Sequence, residues 1–150
     1  MPVVDVKVTS REPYDTGVAG GSAYERLDGS LTFAVDPHSP ANAPITDLGL
    51  APTDEDGRVR FTSDFCLLHS TEPSETGRAL VDIVNRGRKI SVTAFNIGAS
   101  GAVQRDSPPG DGFLFAHGFA VLSLGWQWVS LQRDTSVCRA HHGGWFRTTN

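Results

Sequence analysis

Cysteine is scarce in this sequence: there are two, Cys66 and Cys138, in 150 residues. Two cysteines make no disulfide framework, which excludes the small stapled scaffolds of secreted proteins. Cys66 sits inside the apolar run F-C-L-L and reads as a small core residue. Long hydrophobic runs are missing as well. No window approaches the roughly 18 apolar residues that mark a membrane-spanning helix, so no membrane span is expected. The opening M-P-V-V-D-V-K-V lacks the basic and apolar regions of a signal peptide, and a cytoplasmic location is the default expectation. Basic charge is short too. Thirteen Lys and Arg stand against 17 Asp and Glu, for a net charge of −4. With no basic stripe to displace counterions, nucleic acid is not an expected partner. The longest basic cluster, Arg86-Gly87-Arg88-Lys89, reads as a solvated turn.

Catalytic and metal motifs are thin. Gly98-Ala99-Ser100-Gly101-Ala102 fits a relaxed G-x-S-x-[GA], but a nucleophile elbow lies between a buried strand and a helix. Pro108 and Pro109 follow too soon for a helix, so Ser100 reads as part of a Gly/Ser loop. Ser123 lacks the preceding Gly and reads as a small residue at a tight strand exit. Asp54 and Asp56 match two positions of a calcium loop, but Arg58, Val59 and Arg60 break the register. A polar turn is the simpler reading. Cys138, His141 and His142 give three candidate ligands where a closed zinc site needs four. No metal and no cofactor is therefore expected. His117 falls near the end of a short helix, where an imidazole suits the helix dipole.

What the chain does have is alternation. Val4, Val6 and Val8 alternate with Asp5 and Lys7, which predicts a half-buried strand stopped by Pro13. Tyr24 to Val35 is extended, with Asp28-Gly29 as a hairpin turn or a bulge. Residues 36–52 carry four prolines and read as a loop, with Ile45 and Leu48 as anchors. Val59 to Leu67 alternates again. Leu80 to Val84 is a buried strand closed by Asn85-Arg86-Gly87. Ile90 to Ala94 predicts a short strand or the wall of an insertion, and residues 98–110 a surface loop. Asp111 is placed as the N-cap of a helix through Phe113, Leu114 and Phe115, with Gly118 as its C-cap. Phe119 to Leu124 is the next strand. Strand, crossover, helix and strand make a βαβ unit with a parallel sheet. Ligands lie beyond the carboxyl ends of such strands, so Asn85, Arg86 and Gly87, with Trp126, Gln127 and Trp128, are the candidate site. Backbone N–H groups of the first turn can serve as oxyanion donors, or the turn simply caps a strand. The tryptophans are candidate pocket walls.

The order R-E-P, Y-E-R-L-D-G-S-L, V-D-P, I-T-D-L-x-L-A-P, V-N-R-G and D-G-F-L…G-F-A-V-L-S-L-G-W-Q resembles the bacterial α/β-hydrolase-domain family from about Arg11 to Gln127. The resemblance implies an α/β fold: an N-terminal β-rich extension followed by the first strands of an α/β-hydrolase sheet. It also implies an esterase-like activity. Asn85-Arg86-Gly87 would stand at the oxyanion turn, after the third strand of that sheet. Such a fold carries its Ser nucleophile on an elbow after the fifth strand, followed by an acid and a His, and none of the three is recognisable here. The expectation is thus an incomplete hydrolase over residues 1–128, inert alone, with an unstructured tail at 129–150. The alternative is a stand-alone β-rich binding domain. In the first case A-L-V-D-I-V, residues 79–84, becomes an open sheet edge and drives self-association.

Overall fold

The computed structural model describes residues 3–72, 77–84, 89–99, 109–125 and 140–141. Three twelve-residue strands lead the chain: β1 (Val3–Tyr14), β2 (Tyr24–Val35) and β3 (Val59–Ser70). They are followed by β4 (Ala79–Val84), the helices α1 (Ser91–Phe95) and α2 (Phe113–Ala116), β5 (Ala120–Gly125) and β6 (Ala140–His141). The strands form one sheet in the order β1-β2-β3-β5-β4, with β6 also paired to β3. Every pairing is antiparallel except β4 with β5. No helix among the described residues is long and apolar enough to cross a membrane.

This corrects the α/β expectation. Among the described residues the molecule is mostly β-sheet, and its two α-helices span only five and four residues. The β-structure at the N-terminus is no separate extension, because β1, β2 and β3 belong to the same sheet as β4 and β5. The reason lies in the connections. Long alternating strands joined antiparallel need no helix between them.

Asp28-Gly29 is neither turn nor break: β2 runs straight through it. The irregularity sits on the partner, where the β1 register shifts between Val8 and Ser10 and Thr9 Oγ1 donates to the Asp28 carbonyl. A Cβ at Gly29 would collide with the Lys7 carbonyl oxygen and the Phe65 ring, so only glycine lets β1 approach this closely. The 36–52 loop contains two single 3-10 turns. Leu48 is half-buried there, but Ile45 is exposed and anchors nothing.

One buried cluster lies where Tyr24, Cys66, Leu68, Val84 and Val121 meet Leu114 and Phe115 of α2, while Leu27, Phe33, Val35, Val59 and Phe65 are buried on the other face of the sheet. Tyr14 and Tyr24 set their ring edges against Phe115 at 5.4 and 5.2 Å, a favoured aromatic geometry. The Tyr24 hydroxyl donates to the Phe119 carbonyl at 3.1 Å. Burial, with the Cys66 thiol adding to it, pushes the Tyr14 phenol up to about 12. α2 stops as its sequence predicts. Gly118 has a φ of 71°, its N–H bonds the Phe115 carbonyl, and the Phe119 N–H reaches Leu114. That pair of bonds is the glycine stop that satisfies a helix's last carbonyls.

Candidate functional site

The candidate site was placed where β4 and β5 end. The parallel register pairs Val84 with Gly125, so β4 and β5 finish side by side at the same end of the sheet. Asn85, Arg86, Gly87, Trp126, Gln127 and Trp128 themselves lie outside the described residues, as do Ser100, Cys138 and His142. What the structure does describe is how that end is held.

Three polar side chains stitch the crossover. Asp82 turns inward from β4 and is 7% exposed. Its Oδ2 accepts the N–H of Ile90 at 2.9 Å and of Ser91 at 3.1 Å. A carboxylate at the start of a helix satisfies donors that have no partner inside the helix, so β4 itself starts α1. This overturns the strand expected at Ile90–Ala94: the I-S-V-T-A alternation yields to a cap supplied from eight residues upstream. Asn96 is 2% exposed. Its Oδ1 accepts the Leu114 N–H at 3.0 Å, while its Nδ2 donates to the Pro109 carbonyl at 2.6 Å. Asp111 Oδ1 accepts the N–H groups of Ile97 and Phe113, each at 3.1 Å. The N-cap of α2 is Gly112, with a φ of 68°, not Asp111 as expected; Asp111, one residue earlier, still accepts the Phe113 N–H and also ties the outgoing end of α1. From β3, the Ser63 hydroxyl donates to the carbonyl of Gly125, the last residue of β5.

Across the same face a polar row crosses the sheet. The registers place Ser10, Asp28, Cys66, Ser123 and Asp82 side by side on five strands. Arg26 holds Asp28 through two hydrogen bonds, Nε to Oδ2 at 2.6 Å and Nη2 to Oδ1 at 2.9 Å. Burial alone would raise the Asp28 carboxyl, but the Arg26 hydrogen bonds and charge outweigh it. Lys89 and the Cys66 thiol assist, and the carboxyl lies below its ordinary value.

The row does not assemble a nucleophile. Cys66 is buried, and burial pushes its thiol up, whereas a reactive cysteine needs an exposed, stabilised thiolate. Ser123 is buried inside β5. His69 pairs across the strands with Glu25, on the face opposite Ser123. Its Nε2 lies 2.9 Å from Glu25 Oε1 and its Nδ1 2.8 Å from the Ser70 carbonyl. His117 follows α2 and sets its ring edge against Phe113 at 4.5 Å. In the 54–57 turn, Asp54 Oδ1 accepts the N–H groups of Asp56 and Arg58 while its other oxygen binds Arg60, so this carboxylate is engaged within its own turn. Within the segment expected to be an unstructured tail, Ala140 and His141 pair with Ser63 and Thr62 as β6, and the rest of 129–150 lies outside the described residues.

Asp82 and Asn96 were not singled out from the sequence as builders of the site. The available signal was a lone charge inside L-V-D-I-V: a carboxylate within a buried-looking run needs a partner. Comparison of the chain with family models, with curated proteins and with solved structures finds no match.

Proposed function

We propose that the chain is an esterase-like hydrolase scaffold, inert toward esters alone, whose contribution is the oxyanion side of a site at the carboxyl ends of β4 and β5. The observation that carries this is the single parallel pair, in register from Ala79 with Ala120 to Val84 with Gly125. It sets Val84 and Gly125, which precede N-R-G and W-Q in the sequence, side by side at the carboxyl ends of their strands, the end beyond which parallel crossovers bind ligands. The clamp of Asp82 on Ile90 and Ser91 supports it, because oxyanion donors act only when held in place before the charge develops. Inertness follows from the chemistry on the sheet, where Cys66 and Ser123 are buried and a Ser or Cys nucleophile needs an adjacent base.

Two measurements test this. The purified chain is expected to hydrolyse p-nitrophenyl butyrate no faster than buffer, and turnover abolished by Ser100→Ala or Ser123→Ala contradicts inertness. Reading the coding DNA past codon 150 in all three frames tests the family. A G-x-S-x-G followed by an acid and a His supports it; its absence from every frame counts against it. A second reading, a β-rich interaction domain, is favoured by the exposure of Val81 and Ile83 on β4.

A further inference from the structure

Aspartate followed by glycine occurs three times in the chain, at Asp28-Gly29, Asp56-Gly57 and Asp111-Gly112. Such a pair is able to cyclise, because glycine puts no side chain between the carboxyl group and the next backbone nitrogen. The fold blocks two of the three pairs. Asp28 is held by Arg26 through two hydrogen bonds, and Gly29 lies within β2 with the Lys7 carbonyl oxygen against it. Asp111 accepts the N–H groups of Ile97 and Phe113, and Gly112 is wedged between Val18 and the Thr16 carbonyl. Asp56 is held differently. Its side chain is 73% exposed, and Arg60 Nη2 stands off at 4.0 Å, because Arg60 is committed through Nε to Asp54. Gly57 has a φ of 71° and open space where a Cβ would stand. Its N–H donates to the Asp54 carbonyl at 2.9 Å, and a bond of this kind in an exposed turn opens at little cost.

We propose that Asp56-Gly57 is a modification site at which the chain converts itself to isoaspartate, the one pair of the three that the fold leaves reactive. The proposal is independent of ester chemistry. The Gly57 nitrogen bonds to Asp56 Cγ. One carboxyl oxygen leaves as water, with the proton of that nitrogen and one proton from solvent, and a five-membered succinimide closes. Water then adds to either ring carbonyl. Opening at Cγ restores aspartate. Opening at the backbone carbonyl of Asp56 leaves the chain running through Cβ and Cγ, with the former backbone carbonyl now a free carboxylate. The product has one extra backbone atom between the N–H groups of Asp56 and Arg58, the two that Asp54 Oδ1 accepts. The change therefore loosens the grip of Asp54 on the turn that leads into β3 and leaves the sheet itself in place.

Ageing of the whole chain in weakly acidic buffer at body temperature tests this. The aged protein is digested, and its peptides are labelled by an isoaspartate-specific carboxyl methyltransferase with labelled S-adenosylmethionine. Label should build up on the peptide holding Asp56 several-fold faster than on those holding Asp28 and Asp111, and a species lacking one water should appear on the same peptide. Asp56→Glu, which would need a six-membered ring, should lose that label while circular dichroism shows it folded. In the urea-unfolded chain the labelling of the three peptides should converge, because the protection of Asp28 and Asp111 lies in the fold. Equal labelling of the three in the folded chain, or label on Asp28 or Asp111 ahead of Asp56, overturns the proposal. So does an Asp56 peptide that labels from the unfolded chain and not from the folded one.

Discussion

β1 and β4 bound the sheet on opposite sides among the described residues, and both leave valines open to solvent. They differ in how each discourages a further strand. β1 carries Asp5, Lys7, Arg11, Glu12 and Pro13, and its register shifts twice against β2. Charges, proline and bulges are the devices by which natural edges stay single. β4 has a regular register and one acid that points inward. The acid was recruited for another task, clamping the start of α1, and so no longer guards the strand. A charge protects an edge only where its side chain points, and the fold decides that.

The largest effect is expected from loosening the protected side. Gly29→Val drives a side chain into the Lys7 carbonyl oxygen and the Phe65 ring and should cost about 3 kcal/mol, the upper end for overpacking. It should lower the urea midpoint and speed exchange of the Val6 and Val8 amides, leaving β2 as a new open edge. Unchanged exchange there contradicts the close approach of β1. On the other side, Asp82→Ala strips the acceptor from two N–H groups, with Ser91 buried, at about 2–3 kcal/mol. Asp82→Asn keeps one acceptor oxygen and should lose about half as much. Exchange at Ile90 and Ser91 reads both.

β1 to β3 were legible as strands because alternation of Val, Leu and Phe with polar residues has only one period to follow, but Pro13 does not stop β1, which runs on to Tyr14 because an outer strand tolerates proline. Edge and centre were not. Val4, Val6 and Val8 were expected to be half-buried, yet they are 41%, 57% and 45% exposed, because nothing in a strand's own pattern says how many neighbours it will have. β4 misled in the same way: four apolar residues read as burial on both faces, while only the face of Leu80, Asp82 and Val84 is covered. α1 was illegible for a different reason. Its cap comes from β4 through the fold, and no local residue announces it. α2 was readable because its signals lie in the chain around it, although the N-cap falls on Gly112 rather than on Asp111, and only the Gly118 stop is where the sequence puts it. The α/β class failed because the resemblance concerned segments and their order, whereas the balance of helix and strand is set by what connects them.

A smaller effect is expected at the β2 ion pair. Arg26→Met leaves Asp28 without its two hydrogen bonds and should cost about 2 kcal/mol, less than a fully buried pair because the carboxylate keeps some water. The sign of the pH dependence is a sharper test. In the wild type the Asp28 carboxyl is lowered by Arg26. Its contribution is present above the ordinary carboxylate value of about 4 and is lost as pH falls through the lower folded value. Without Arg26, burial dominates and raises the carboxyl, so the same group should favour the folded state as pH falls toward 4. Urea midpoints between pH 3 and pH 6 distinguish the two slopes. The smallest change in stability, within about 0.5 kcal/mol, is expected for Val6→Lys and Val81→Lys, since both positions are exposed, and the same midpoints read it.

The contrast between the edges is tested most directly by thiol labelling. In a Cys138→Ser background, with Cys66 buried, Lys7→Cys on β1 and Asp82→Cys on β4 are treated side by side with a water-soluble maleimide. Lys7 is exposed and Asp82 is buried, and a thiol reacts where the reagent reaches it. The Lys7→Cys chain should label at the rate of a free thiol, and the Asp82→Cys chain far more slowly. Equal rates at the two positions would contradict the claim that β1 keeps its charges outside while β4 turns its acid inward.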